Sequence, residues 1–489
     1  MVRTLLTARQ VLAFAIFCTA VLGANAQSAL PDSVRAALAQ AQLPESSLAV
    51  LVLPLSGTSA RLSHGADQAL APASTMKLLT TVIALEELGP TFRWRTQLLA
   101  QRSAQGATLH GPLYLRGGGD PNLTWQGLQL MLRALRAQGV RQLRGDIVLD
   151  RSYFAPERPD LGAPQFDESP DAYYNVIPDA LLLSSNLLDL DLRSDAHLLT
   201  PTLRTPLADV QLHSRQTLID ADCKSWDEGW LMPELRQDKR GTVHITLLGT
   251  FPKNCSASTS SNLLVRNLFI ERALRALWRE LGGSWVGQVR DGVAPVDAKI
   301  LVEKISDTLA DTVKRVNKKS DNAMARALFL TLGAEYAAKG GYANHLDAAQ
   351  GRIRDWLARH GIDAAALVLE NGSGLSRSER ITPRQLAQVL QASVSGLWSP
   401  ELATSLPIAA LDGSMRRRLK DTPAALRARI KTGTLRDATA VAGYVMDTSG
   451  TSWIVVGIVN SPDAKRGRAA LDALIVWAAE VPTTVQTLP

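Results

Sequence analysis

The run Leu78-Leu79-Thr80-Thr81-Val82-Ile83-Ala84-Leu85 carries no charge and no turn residue. A helix with so few polar positions is mostly buried, so the chain must fold in layers around it. Pro72 ahead of the run, with Ser74 close behind, reads as a helix start. Ser74 is therefore expected in the first helical turn, with Lys77 three residues on and on the same face. An amine so placed can take a proton from a hydroxyl. The unpaired N–H groups of a helix N-terminus can stabilise a developing oxyanion. Upstream, residues 47–54 and 58–62 read as two strands. Two strands and then a buried helix predict an α/β (α+β) architecture, an antiparallel sheet flanked by helices.

The first 26 residues have another texture. Arg3 and Arg9 precede a nearly continuous apolar run over residues 11–22, and Ala24-Asn25-Ala26 is a small-x-small site. This pattern predicts a secretory signal peptide cleaved before Gln27, hence an exported, periplasmic protein. Phe17 before Cys18 is too large for a lipidation site. No other stretch reaches transmembrane length, so membrane association is at most peripheral. Loss of Arg3 and Arg9 lowers the formal charge of +7 by two. The mild positive excess that remains suits an anionic wall or membrane surface. No Lys/Arg stripe argues for nucleic acid. After cleavage Cys223 and Cys255 remain, and two cysteines in an oxidising compartment predict one disulfide. No His or Cys cluster has ligand spacing, so neither a metal nor another cofactor is expected.

Along the chain, strands are expected at 94–99 and 109–115, a helix at 128–138, and a strand entering at 140–149. A long Pro-rich loop follows at 156–178. Much of 195–265 reads as strands, and residues 266–281 as a helix. This gives 1–26 as leader, 27–94 plus 293–489 as one discontinuous domain, and two insertions. The first insertion, 95–190, has strand-helix-strand units. The second, 191–292, is β-rich and holds both cysteines. Residues 305–316 are expected to be helical, leading into Ser320-Asp321-Asn322 at a helix junction. Residues 426–431 read as an edge-like strand running into Lys431-Thr432-Gly433-Thr434. There Gly433 lets a ligand approach closely.

Ser-x-x-Lys alone is a weak signal, equally met by a capping serine with a surface lysine. Three motifs in order, Ser74-x-x-Lys77, Ser320-Asp321-Asn322 and Lys431-Thr432-Gly433, are a strong one. Together they supply what serine acyl transfer needs. Ser74 is the nucleophile, and Lys77 the base, made neutral by burial and by the neighbouring cation Lys431. Ser320 can shuttle a proton to the leaving amine. Asn322 can orient Lys77 and donate to a substrate carbonyl. Lys431, with the Thr432 and Thr434 hydroxyls, can hold a substrate carboxylate. The backbone N–H groups of Ser74 and Thr434 are the expected oxyanion hole. No histidine is required, and no Gly-x-Ser-x-Gly elbow is present.

The set resembles the class C low-molecular-mass penicillin-binding proteins, the serine D-alanyl-D-alanine carboxypeptidase/endopeptidase family. In that family a large insertion separates the first two motifs, and here 246 residues separate Ser74 from Ser320 while 111 separate Ser320 from Lys431. Residues 316–322, 372–377, 411–415 and Gly119-Asp120-Pro121 also resemble family segments, and Asn371 stands where the family commonly has Asp. The resemblance implies a transpeptidase-like fold with two inserted domains and an acyl-Ser74 intermediate. It implies cleavage of D-Ala-D-Ala and D-Ala-diaminopimelate bonds in peptidoglycan, and acylation by β-lactams. Relatives bind the free amine of the diamino acid through a carboxylate, for which Asp171 is the nearest match. The resemblance leaves a homodimer open. Two alternatives compete with it. A serine β-lactamase would be shorter and would carry a Glu-x-x-Leu-Asn segment, which is absent. An inactive wall-binding scaffold would have no need of all five polar residues intact.

Overall fold

The computed structural model describes residues 29–337 and 340–481, so the leader expected over residues 1–26 lies outside the described residues. A five-stranded sheet organises the part that carries the motifs. Its strand order is Ala428–Thr434, Ala438–Met446, Ser452–Asn460, Leu48–Pro54, Leu62–His64. Every neighbouring pair is antiparallel.

Alternation along each strand sends side chains to opposite faces. Leu51 and Leu53, with Ile454, Val456 and Ile458, enter one core; Leu48, Val50 and Val52, with Val455 and Val459, enter another. Helices Met76–Leu88, Asn322–Ala337, His345–Arg359 and Pro383–Ser395 cover the first face. Asp32–Gln40 and Arg468–Ala479 cover the second. The central strands are thus buried on both sides, which is why they read as continuous apolar runs. All residues from Met76 to Leu85 are buried. Burial of each large aliphatic side chain contributes about 1.5–3 kcal/mol, which locks this helix against the sheet.

The intervening chain builds four further sheets. One has the order Val289–Asp291, Ile147–Asp150, Leu113–Arg116, Arg95–Ala100, Lys299–Ile305, and a small parallel one joins Ser284–Val286, Gln142–Arg144 and Thr108–His110. Helices Trp125–Ala137 and Arg266–Glu280 pack with them around a core running from Leu98 to Val302. A three-stranded sheet pairs Leu188–Ser194 with Leu199–Leu203 and Ser256–Ser261, and a four-stranded one centres on Val243–Pro252. Cys223 and Cys255 form the expected disulfide, with Cα atoms 5.3 Å apart.

The helix expected over residues 305–316 is displaced. Lys299–Ile305 is a strand, antiparallel to Arg95–Ala100, and the helix is Leu309–Lys319. Thr308 caps it, accepting from the Asp311 N–H, and so sets its start. Among the described residues no helix is long and apolar enough to cross a membrane.

Candidate active site

Ser74 lies not in the first turn of the helix but in a short 3-10 turn, Ala73–Thr75, ahead of Met76–Leu88. Thr75 closes the turn by donating from its N–H and its hydroxyl to the Pro72 carbonyl, at 3.2 and 2.7 Å. Ala73 has a φ of +47°, a conformation costing a non-glycine residue about 1–2 kcal/mol. Two glycines press on this turn. A Cβ on Gly374 would lie 1.8 Å from the Ala73 carbonyl oxygen, and one on Gly433 would lie 2.7 Å from the Ser74 nitrogen. Both positions exclude a side chain, so the backbone of two other segments can close around Ser74.

Lys77 is fully buried, and its Nζ lies 2.9 Å from Ser74 Oγ. It donates to Asn322 Oδ1 at 2.6 Å and to the Ser373 carbonyl at 2.5 Å. A neutral amine has two N–H donors and one lone pair. In the neutral form, with both donors committed to Asn322 and Ser373, the lone pair is left for the Ser74 hydroxyl. Burial, and then the Lys431 charge, hold Lys77 well below the ordinary lysine pKa; Asp321 and Glu379 pull the other way. Asn322 begins the helix Asn322–Ala337, and its Nδ2 donates to the Tyr174 carbonyl at 3.0 Å. That bond keeps Oδ1 turned to Lys77.

Ser320 is the left-handed C-cap of helix Leu309–Lys319, with φ of +59°. The turn places its Oγ 2.8 Å from Lys431 Nζ, which also donates to the Thr432 carbonyl at 2.7 Å. Lys431 is buried, and burial lowers its pKa to about 7. It stands on the edge strand Ala428–Thr434. Leu435 N–H donates to the Ala438 carbonyl at 2.7 Å, which sets the phase of the ladder. In an antiparallel pair, inward and outward main-chain groups alternate, so Thr432 and Thr434 turn theirs to the open edge. Ile430, two residues earlier, agrees: its N–H donates outward to Pro407 at 2.8 Å. Thr432 Oγ1 donates to Ser414 Oγ at 2.7 Å.

Ser373 belongs to a loop held by one buried carboxylate. Glu379 Oε1 accepts from the N–H groups of Glu370, Asn371 and Gly372 at 3.2, 2.9 and 2.7 Å, and Oε2 from Gly374 at 2.9 Å. Burial pushes the Glu379 carboxyl pKa up, and these backbone donors oppose it. Sequence reasoning singled out neither Glu379 nor Ser414 as a site residue. Ser414 lies within the family-like segment 411–415, and Glu379 is marked in sequence only by its nearness to the glycine-rich turn.

The long loop contacts the segments around the site. Glu168 pairs with Arg436 at 3.0 Å, and the Arg377 guanidinium lies 4.2 Å from the Phe166 ring centroid. Asp171 is buried in this segment, its carbonyl accepting from Asn262 N–H at 2.7 Å. Among the described residues no hydrogen bond joins Asp171 to Ser74, Lys77, Ser320, Asn322 or Lys431. No group of acidic, His or Cys side chains among them could hold a metal ion.

These elements together form the fold of the serine penicillin-binding proteins. The structure of penicillin binding protein 4 (dacB) from Haemophilus influenzae superposes with a TM-score of 0.74 at 24% identity, covering 91% of this chain and 98% of that one. The same protein complexed with a β-lactam superposes with a TM-score of 0.70 at 22% identity, over 91% and 97%. In sequence, the chain is 29% identical over 431 residues to the D-alanyl-D-alanine carboxypeptidase of Actinomadura sp. (strain R39), covering 86% of this chain and 78% of that protein. It is 27% identical over 395 residues to D-alanyl-D-alanine carboxypeptidase DacB of H. influenzae, covering 79% and 80%. Residues 30–481 match the D-Ala-D-Ala carboxypeptidase 3 (S13) family, and the chain belongs to that family.

Proposed function

We propose that the chain is a serine DD-peptidase acting on peptidoglycan as a carboxypeptidase and endopeptidase, through an acyl-Ser74 intermediate. The observation that carries this is the environment of Lys77 Nζ: two acceptors, and Ser74 Oγ at 2.9 Å. Ser74 Oγ attacks the carbonyl of the penultimate D-alanine while its proton passes to Lys77. The N–H groups of Ser74 and Thr434 receive the oxyanion. Ser320, bonded to Lys431, relays a proton to the leaving amine, which departs as D-Ala or as the cross-linked strand. Water then hydrolyses the ester, and Ser74 recovers its proton. Lys431 holds the substrate carboxylate, helped by Thr432 and Thr434. β-Lactams follow the first half of this path and stay as acyl-Ser74.

Asp171 as the carboxylate for the diamino acid belongs to this proposal; its support is its place in the segment that reaches Asn322 through Tyr174. Peripheral membrane association, export to the periplasm after cleavage near Ala26, and the division into a peptidase body with two insertions belong to it too. The pairing of Lys299–Ile305 with Arg95–Ala100 favours drawing the second seam near residue 305.

The test is release of D-alanine from a D-Ala-D-Ala pentapeptide, and cleavage of a cross-linked muropeptide, by the mature protein. Native protein releases product and Ser74→Ala, with unchanged circular dichroism, does not. A native protein inert on both substrates would contradict the proposal.

A further inference from the structure

A groove of about 530 Å³ lies beside the long loop, with Tyr173, Trp226, Arg204, Asp227, Ser258 and Ser260 among its lining residues. Its walls are held rigidly. Trp226 packs edge-on to Trp230 at 6.1 Å and against the buried Phe251 at 6.3 Å. It directly follows the turn Cys223–Ser225, which the Cys223–Cys255 bond ties to the start of strand Ser256–Ser261. The disulfide therefore joins the wall that carries Trp226 to the wall that carries Ser258 and Ser260.

The polar side is prepared as well. Ser258 Oγ donates to Asp191 Oδ1 and Ser260 Oγ to Asp189 Oδ1, both at 2.6 Å. With their hydrogens committed, these oxygens keep lone pairs for donors on a ligand. Tyr173, 64% exposed, stands edge-on to Tyr174 at 5.6 Å. Aromatic faces, hydroxyl acceptors, a guanidinium and a carboxylate suit a pyranose. Its C–H face covers an aromatic ring while its hydroxyl and amide hydrogens seek acceptors. A protein partner would instead call for a continuous apolar centre.

A short run of bonded residues links the groove to the centre at Ser74. Ala172 bridges to Ser261, the Tyr174 carbonyl accepts from Asn322, and Asn322 accepts from Lys77. In peptidoglycan the stem peptides hang from a chain of N-acetylated amino sugars. We infer that this groove binds that sugar chain while the attached stem peptide lies at Ser74. The inference rests on the DD-peptidase reading.

The test compares kcat/KM on a free pentapeptide with that on a disaccharide-pentapeptide, for native protein, Trp226→Ala and Tyr173→Ala. Native protein should favour the disaccharide form about tenfold, chiefly through KM. Both variants should bring the ratio near unity while leaving free-pentapeptide cleavage and penicillin acylation as in native protein. No preference in native protein, a preference that survives both substitutions, or an equal loss on free pentapeptide would overturn it. The last would mean that the groove acts only by holding Tyr174. Calorimetry of the peptide-free disaccharide with Ser74→Ala protein reads the groove independently of catalysis. Binding there that is lost in Ser74→Ala/Trp226→Ala supports the groove even if the peptidase reading fails, and no binding overturns it.

Discussion

Asn322 Oδ1 accepts from Lys77 Nζ at 2.6 Å while its Nδ2 donates to the Tyr174 carbonyl at 3.0 Å. The second bond fixes the first, so a neutral amide faces the base. Replacing it with a carboxylate would stabilise the Lys77 ammonium and raise the pKa of the base. Asn322→Asp should therefore acylate about 10²-fold more slowly than native protein at neutral pH, with the gap between the two narrowing as the pH rises. Stopped-flow acylation from pH 6 to 10 checks this; a loss independent of pH would contradict it.

Two lysines with opposite requirements predict a bell-shaped profile. Lys77 must be neutral and is held well below the ordinary value by burial and by Lys431. Lys431 must be charged, and burial brings it to about 7. Acylation by a carboxylate-bearing penicillin should rise with pH as Lys77 deprotonates and fall above about pH 7 as Lys431 does. A β-lactam whose carboxylate is esterified should lose the falling limb, because it has no anion for Lys431 to hold.

Buried ammonium groups also weigh on stability. An unfolded lysine titrates near 10.4, whereas Lys431 titrates at about 7 in the folded protein. Below that range both states are charged and the folded state bears the full desolvation penalty; between about 7 and 10.4 the penalty fades. Lys431→Met should therefore raise the melting temperature, most at pH 6 and least near pH 10, by a stability gain on the order of a few kcal/mol at the acidic end. It should also abolish turnover if, as proposed, the cation holds the substrate carboxylate. A gain that is flat with pH would contradict this.

Glu379 positions the loop whose Ser373 carbonyl takes one of the Lys77 donors. In Glu379→Gln the amide oxygen can still serve one side, but the amide nitrogen and the Gly374 N–H meet as two donors. The Lys77 acceptor should shift, lowering maximal acylation about tenfold or more. The lost negative charge, which favours the Lys77 ammonium, should also move the rising limb to lower pH. A folding defect would reduce active enzyme without moving the limb.

Much of this architecture is legible in the order of residues. The central strands read as strands because both their faces are buried, and the disulfide follows from two cysteines. The three motifs stand out in sequence because each is a particular chemical group in a particular order, and the fold brings Ser74, Lys77 and Asn322, and Ser320 and Lys431, within hydrogen-bond reach. What stays hidden depends on distant partners. Lys299–Ile305 becomes a strand by pairing with residues some two hundred positions away, as in the Gln97–Glu303 bond with a separation of 206. Residues 109–115, read as one strand, divide at Gly111, whose φ of +89° turns the chain between Thr108–His110 and Leu113–Arg116. Glu379 looks like any surface acid until the glycine loop folds over it. Ser74 sits in a 3-10 turn directly ahead of the expected helix, beside Ala73, whose left-handed backbone nothing in its own residue type favours.

In the proposed mechanism Ser74 is acylated with Lys77 as its base, and the acyl group is covalently held. Intact-mass analysis of the protein with and without a penicillin, followed by peptide mapping, reads that adduct. A single adduct on the peptide containing Ser74 is expected, with no adduct on Ser74→Ala and a rate at least about 10³-fold lower on Lys77→Ala. No adduct on folded native protein, or normal labelling of Lys77→Ala, would contradict it.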